Sequence, residues 1–176
     1  MAERQPNKPT KSKPMKTLKI DGMPGTIREI KITTTRVCEE PAPLCDAPAS
    51  VRDLWQSHVT TAQWFDEQKE ALVVFLLDTK LRCIGFNLVS LGTLNESTAH
   101  PREIFRPAII AGCYAIALAH NHPSGQPDPS SADRRLTSNL REAASILQVN
   151  LIDHVIVGRP ENGSQGYFSF SEAGLL

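Results

Sequence analysis

The sequence predicts an α+β domain in which one mixed β-sheet is packed between helices, a three-layer α-β-α arrangement. Short apolar runs of strand length alternate along the chain with segments of helical periodicity, and no internal repeat is present. The chain has 176 residues, 40% of them apolar and 22% charged, which suits one core of moderate size.

Residues 1–48 differ in composition from the rest of the chain. They hold seven of the thirteen prolines, and six basic side chains against one acidic give residues 1–19 a net charge of +5. The other 157 residues carry thirteen basic and eighteen acidic side chains, a net charge of −5. We expect a basic, disordered tail with one strand over 26–37, followed by a domain spanning 49–176. Such a tail can contact nucleic acid through phosphates, but a solvated, disordered leader is the favoured interpretation because such tails are common. The body itself lacks the basic stripe expected of a nucleic-acid binder.

The first half of the domain is expected to form a helix and a hairpin. Ser50 is placed to cap a helix over 51–66. One side of this helix carries Val51, Leu54, Trp55, His58 and Val59. A continuous apolar run over 71–77 predicts a strand that is buried on both faces. A turn at 78–80 then leads into a second strand over 81–89.

The second half alternates helices with strands. A helix is predicted over 101–111, since proline favours the first helical position. Its inner face is expected to consist of Ile104, Phe105, Ala108 and Ile109. A buried strand over 114–119 precedes a helix over 130–147. The apolar positions of that helix are Leu136, Leu140, Ala143, Ala144 and Leu147. Strands over 151–157 and 167–170 complete the sheet.

Cysteine spacing and hydropathy limit the classes of protein to which the chain can belong. The four cysteines form no CxxC pattern and no dense framework, which indicates reduced thiols. The longest apolar stretch, 108–119, is too short to cross a bilayer. No apolar run follows the basic N-terminal residues, so we expect no secretory signal. We therefore expect a cytoplasmic protein that does not interact with membranes.

The stretch 118–133 concentrates the residues that can carry chemistry. His120 and His122 lie two residues apart at the end of a predicted strand, so extended backbone directs both imidazoles to one side. After a loop rich in Pro, Gly and Ser, Asp133 falls in the first turn of the next predicted helix, where it can approach both histidines. Two imidazoles and one carboxylate leave a fourth tetrahedral position for water, which is the pattern of catalytic zinc sites.

A hydrolytic zinc site also needs a base, and three carboxylates precede the buried strand. These are Asp66, Glu67 and Glu70, and periodicity alone does not choose among them. Glu70 directly precedes the strand, where its carboxylate would be fixed at the mouth of the site, and it is the first candidate.

Five segments match a known family in order and in spacing. They are EALVVFLLDTKLRCIG, VSLGTLNESTAHPREIFRPA, ALAHNHPSG, PSSAD and LIDHVIVG. Residues 49–176 thereby resemble the RadC (UPF0758-type) family, a bacterial branch of the JAMM (MPN+/JAB1) metalloproteases. The metal signature of that family is a Glu, then His-x-His, seven residues, Ser, two residues and Asp, and residues 120–133 fit it without a departure. The resemblance implies the JAB1/MPN architecture, which is cytidine-deaminase-like.

The resemblance also implies what the site residues do. His120, His122 and Asp133 would bind one zinc ion per chain, Glu70 would be the general acid/base, and Ser130 would hydrogen-bond the water or the oxyanion. The expected activity is hydrolysis of peptide or isopeptide bonds. Full-length RadC proteins also carry an N-terminal helix-hairpin-helix region, for which the first 48 residues are too short and too rich in proline. We therefore expect a short form.

One alternative function remains beside the expected hydrolase, and another is excluded. A non-enzymatic DNA-repair or nucleic-acid accessory protein, the historical label of RadC, is the alternative function, but such a protein has no need of an open metal site. A zinc nucleobase deaminase would require H-x-E and P-C-x-x-C patterns, and the sequence has neither. His154, next to Asp153, could hydrogen-bond a metal ligand, although a packed histidine is the more frequent case.

Overall fold

The computed structural model describes residues 42–92, 99–160 and 165–176. The strand expected over 26–37 and the expected tail up to residue 41 lie outside these ranges. In the described part of the chain no helix is both long enough and apolar enough to cross a membrane.

The described residues form three α-helices and five strands. In chain order they are α1 (Pro48–Leu54), β1 (Glu70–Leu77), β2 (Cys83–Gly92), α2 (Pro101–Ala111), β3 (Ala115–Asn121), α3 (Ser131–Leu147), β4 (Asn150–Val157) and β5 (Tyr167–Ser169). The strands make one sheet in the order β2-β1-β3-β4-β5. β3 and β4 are parallel and joined by α3, while the other neighbours are antiparallel. The predicted mixed sheet is confirmed.

Helices cover both faces of the sheet, which explains why β1 reads as an unbroken apolar run. Alternate residues of β1 point to opposite faces. Val73 and Phe75 pack in one cluster with Val51 and Trp55 from the α1 side. The other face packs against α2 and α3 through Leu72, Val74, Ile104, Phe105 and Leu140. The three-layer α-β-α prediction is therefore confirmed.

The first helix is shorter than predicted and begins earlier. Pro48 occupies its first turn and Ala47 its N-cap position, so the prediction that Ser50 caps the helix is wrong. α1 passes into one π-helical turn, Trp55–Val59, instead of continuing to residue 66. Hydroxyl groups explain the early end: Thr60 Oγ1 donates to the Gln56 carbonyl at 2.7 Å, and such bonds compete with the helical ladder.

The first hairpin forms at the predicted turn. Asp78 Oδ1 accepts hydrogen bonds from the backbone N–H groups of Lys80 at 2.8 Å and Arg82 at 2.9 Å. Leu81 takes a left-handed conformation with φ 57°, so β2 begins at Cys83, two residues later than expected.

The helical faces agree with the predicted pattern except at Ile109. Ile104, Phe105 and Ala108 are buried on α2, with Ala108 near the middle of the buried face. Ile109 lies about 100° around the helix from Ala108, beyond the edge of that face, and is 57% exposed. Leu147 is 42% exposed at the last turn of α3. The prediction that Ile109 lies on the inner face of its helix is wrong.

Residues before position 49 also take part in the described fold. Cys45 is fully buried in the α1-side cluster. Its N–H donates to the Leu81 carbonyl at 2.8 Å, and the Pro43 carbonyl accepts from the Cys83 N–H at 2.9 Å. These bonds attach the segment to the start of β2.

Candidate metal centre

The pairing of β1 with β3 brings the histidines and the glutamate together. Leu72 pairs with His120 in the antiparallel ladder, so Glu70 at the start of β1 lies level with His122 just past the end of β3. As the spacing predicts, the two imidazoles face one point, and their Nε2 atoms are 3.1 Å apart. Glu70 Oε1 lies 3.7 Å from His120 Nε2.

The first turn of α3 supplies the second carboxylate. Ser130 caps the helix: its Oγ accepts from the Asp133 N–H at 3.2 Å. In return Asp133 Oδ2 accepts from the Ser130 N–H at 2.8 Å and from its hydroxyl at 2.6 Å. This capping box aims the carboxylate at the histidines, with Asp133 Oδ1 3.3 Å from His120 Nε2 and Oδ2 3.6 Å from His122 Nε2.

The spacing of these atoms fits a small dication. One ligand atom from each of Glu70, His120, His122 and Asp133 lies within 4.8 Å of all the others. Zinc bonds of about 2.0–2.1 Å imply ligand–ligand separations of about 3.3 Å in a tetrahedron. The distances of 3.1 Å between the two imidazole nitrogens and 3.3 Å from His120 to Asp133 match that value. The group can therefore hold a metal ion.

Opposing effects set the ionisation of the centre. Burial raises the pKa of Asp133, but the nearby imidazoles of His122 and His120 and the hydrogen bonds from Ser130 outweigh it and hold the pKa well below its usual range. The adjacent Asp133 carboxylate raises the pKa of His122 despite partial burial. Full burial lowers the pKa of His120 well below its ordinary value, and adjacent His154 lowers it further. The result is an ionised carboxylate beside a neutral buried imidazole.

Asn121 holds Glu70 in place, a role that the sequence analysis missed. Its side-chain oxygen accepts from the Ala71 N–H at 2.9 Å, and its amide nitrogen donates to the Lys69 carbonyl at 3.1 Å. These two backbone groups flank Glu70 on both sides. The sequence signal for this role was an amide side chain between the two histidines. Because side chains alternate along a strand, Asn121 points to the face opposite the two imidazoles.

A second set of contacts joins His120 to α3. His120 Nδ1 lies 2.9 Å from His154 Nε2, and His154 Nδ1 lies 2.7 Å from Thr137 Oγ1. His154 also stacks on Phe170, with ring centroids 4.8 Å apart. His154 fits both roles considered for it, because it is packed in the core and also contacts a candidate ligand. Thr137 was missed, although it falls one helical turn after Asp133 on the same face.

Asp153, in contrast, serves the fold. Its carboxylate accepts from the His154 N–H at 2.7 Å, the Ser169 hydroxyl at 2.7 Å and the Ser171 N–H at 3.0 Å. These bonds tie β4 to β5 and to the turn that follows it. Burial nevertheless raises the pKa of Asp153.

A groove of about 630 Å³ opens beside His122. Its lining includes Trp55, Phe65, Asp66, Glu67, Asn121 and Arg159. Of the three carboxylates before β1, Asp66 and Glu67 thus line the groove, whereas Glu70 belongs to the ligand group.

A family model described as the RadC-like JAB domain matches residues 45–175. Several similar curated proteins carry the name UPF0758 protein. One from Pelodictyon phaeoclathratiforme is 49% identical over 111 residues, covering 63% of this chain and 48% of the relative. One from Thermotoga maritima is 49% identical over 109 residues, covering 62% and 47%. One from Rubrobacter xylanophilus is 42% identical over 134 residues, covering 76% and 54%. The chain spans about half the length of these relatives.

Proposed function

Because the chain belongs to the RadC-like JAB domain family, we propose that it is a zinc-dependent hydrolase of peptide or isopeptide bonds. The observation that supports this most strongly is the convergence of two imidazoles and two carboxylates within 4.8 Å. His120, His122 and Asp133 are the proposed ligands, and their nitrogen and oxygen donors suit zinc. A zinc ion bound there would polarise the scissile carbonyl and lower the pKa of the attacking water.

Glu70 is the proposed general base. Its side chain is 17% exposed, so its carboxylate is confined at the edge of the site yet open to water. In the proposed reaction it accepts the proton of the attacking water and then delivers that proton to the leaving amine. The bonds of Asn121 to both neighbours of Glu70 keep this carboxylate in reach of the ligand group.

Ser130 has two proposed tasks that share one hydroxyl proton. In the structure that proton goes to Asp133 Oδ2, so the hydroxyl orients a proposed ligand. By turning away from Asp133, the same hydroxyl can donate to the oxyanion that forms on the substrate carbonyl. Ser130→Ala should therefore retain zinc and lose part of the rate.

The test is a hydrolysis screen on unstructured peptides and isopeptide-linked lysine conjugates, with zinc content measured in parallel. Glu70→Gln should keep its zinc while its rate falls by about a hundredfold to ten-thousandfold, because an amide of the same shape cannot accept the proton. Glu67→Gln, which alters an exposed carboxylate of the adjoining groove, is the matched control and should keep wild-type activity. Asp133→Asn should lose zinc.

Two results would contradict these assignments. If Glu67→Gln loses the rate and Glu70→Gln keeps it, the base is the wrong carboxylate. If Glu70→Gln loses zinc while Asp133→Asn retains it, ligand and base are exchanged.

A further inference from the structure

We propose that Thr137 and His154 are positioning residues that set the tautomer of His120, so that its Nε2 lone pair faces the centre. This inference rests on the proposed metal centre. It concerns three groups from three elements, since His120 lies on β3, Thr137 on α3 and His154 on β4.

The direction of each hydrogen bond follows from one group that can only accept. Thr137 Oγ1 lies 2.7 Å from the Asp133 carbonyl oxygen, which has no proton, so the hydroxyl donates its proton there. At 2.7 Å on its other side, Thr137 Oγ1 must then accept from His154 Nδ1. His154 Nδ1 therefore carries a proton.

The protonation of His154 in turn fixes that of His120, the candidate ligand. His154 and His120 are both fully buried, which favours the neutral form of each ring. A neutral His154 protonated on Nδ1 presents a lone pair on Nε2, which accepts from His120 Nδ1 at 2.9 Å. His120 Nε2 is then left unprotonated, at 3.1 Å from His122 Nε2 and 3.3 Å from Asp133 Oδ1. Neutral rings permit only this assignment.

The tautomer of His122 is fixed by a single backbone carbonyl group. His122 Nδ1 lies 2.8 Å from the Gln126 carbonyl oxygen, so it donates there, and in the neutral ring the Nε2 lone pair then faces the centre. The backbone of a nearby loop thus fixes His122, whereas His120 depends on two side chains. The chain of bonds that fixes His120 begins at the carbonyl of Asp133, so two proposed ligands are coupled through the first turns of α3.

If these hydrogen bonds are broken, His120 can take the tautomer with its proton on Nε2. That nitrogen then has no lone pair with which to bind a cation. Loss of such an outer partner typically weakens metal affinity on the order of tenfold to a hundredfold. A purely structural role for His154, through its stacking on Phe170, would change stability and leave both the tautomer and the affinity unchanged.

The experiment uses the full chain and two readouts. The first is the ¹⁵N spectrum of histidine-labelled, zinc-free protein at neutral pH, which reports the protonated nitrogen of each ring. The second is the zinc dissociation constant from competition with a chelator. Thr137→Val removes the hydroxyl at nearly constant shape, and Thr137→Ser restores it. Ser169→Ala is the control for general destabilisation, because it removes a buried hydrogen bond to Asp153 that is not one of the bonds linking Thr137, His154 and His120.

We expect the wild type to carry the His120 and His154 protons on Nδ1. Thr137→Val should bind zinc on the order of tenfold to a hundredfold more weakly, while Thr137→Ser and Ser169→Ala keep wild-type affinity. Where Thr137→Val does not fold, His154→Phe gives the same comparison, since it preserves the ring on Phe170 and removes the acceptor.

Wild-type affinity in the variant that lacks the hydroxyl or the acceptor would overturn the inference, as would a His120 proton on Nε2 in the wild type. If the wild type binds no zinc, the proposed metal centre fails. The spectrum of the zinc-free protein still decides the tautomer, so the two failures are distinguishable.

Discussion

Asn121 shows how much a single side chain contributes to the site. Its amide holds the backbone on both sides of Glu70, so Asn121→Ala should leave the buried Ala71 N–H without its acceptor. An unpaired buried group of this kind costs about 1–3 kcal/mol. We expect urea denaturation of the zinc-free variant to show that loss, while zinc affinity stays close to that of the wild type because the histidines keep their own partners.

Asn87→Ala provides the comparison, since Asn87 lies exposed on the edge strand β2 and should change the free energy of unfolding little. Equal stability of the Asn121 and Asn87 variants would mean that the amide does not hold the start of β1.

The site residues also show which contacts could be predicted from the sequence and which could not. His120, His122 and Asp133 lie within fourteen positions, so strand alternation and a short loop were enough to predict their convergence. The bond from Asn121 to Ala71 crosses 50 positions, and that from His120 to His154 crosses 34. Such partners depend on strand order and register, which local periodicity does not contain.

Among the elements, the connection from β3 to α3 is held by a close approach at Gly158. A Cβ on Gly158 would overlap the Gly125 carbonyl oxygen and lie 2.9 Å from the Pro127 ring. The same loop carries the Gln126 carbonyl that fixes His122. We therefore expect Gly158→Ala to destabilise the protein by about 1–3 kcal/mol and to weaken zinc binding.

Gly85→Ala is the matched control, because a Cβ at Gly85 in β2 would meet no atom within 4 Å. Thermal unfolding and chelator competition on both variants measure the effect. If both alanines are tolerated equally, contact with Gly158 does not position the loop.

The burial of the segment before α1 can be tested through the ionisation of Cys45. Burial, together with nearby Cys83, raises the pKa of the Cys45 thiol from 9.0 to about 12. The folded state therefore holds this proton more tightly than the unfolded chain does, and the stability it contributes is complete below pH 9 and lost as the pH rises toward 12. Urea midpoints across this range should fall more steeply for the wild type than for Cys45→Ala. Parallel slopes would show that Cys45 ionises as if exposed.

At the scale of an element, the errors in the prediction have local causes. Pro48 starts α1 three positions before the predicted start, and hydroxyl-to-carbonyl bonds such as that of Thr60 end the helical segment early. Proline position and side-chain competition with the backbone outweighed the apolar spacing that had suggested a helix to residue 66.

For the whole molecule, composition and alternation were sufficient to predict a sheet between helices, but the strand order had to come from the structure. The order β2-β1-β3-β4-β5 places β3 at the centre, between the strand that begins with Glu70 and the strand that carries His154. α3 crosses from β3 to β4 and delivers Asp133 to the same end. The proposed centre is thus a product of topology, assembled from β1, β3 and the first turn of α3.

In the proposed centre, this end of the sheet binds one zinc ion through His120, His122 and Asp133. The most direct measurement is zinc content by mass spectrometry after exposure to zinc and exhaustive dialysis, with circular dichroism to verify folding. We predict one equivalent per chain in the wild type and none above background in folded His120→Ala/His122→Ala protein. A double variant that retains close to one equivalent, or a folded wild type that retains none, would contradict the account.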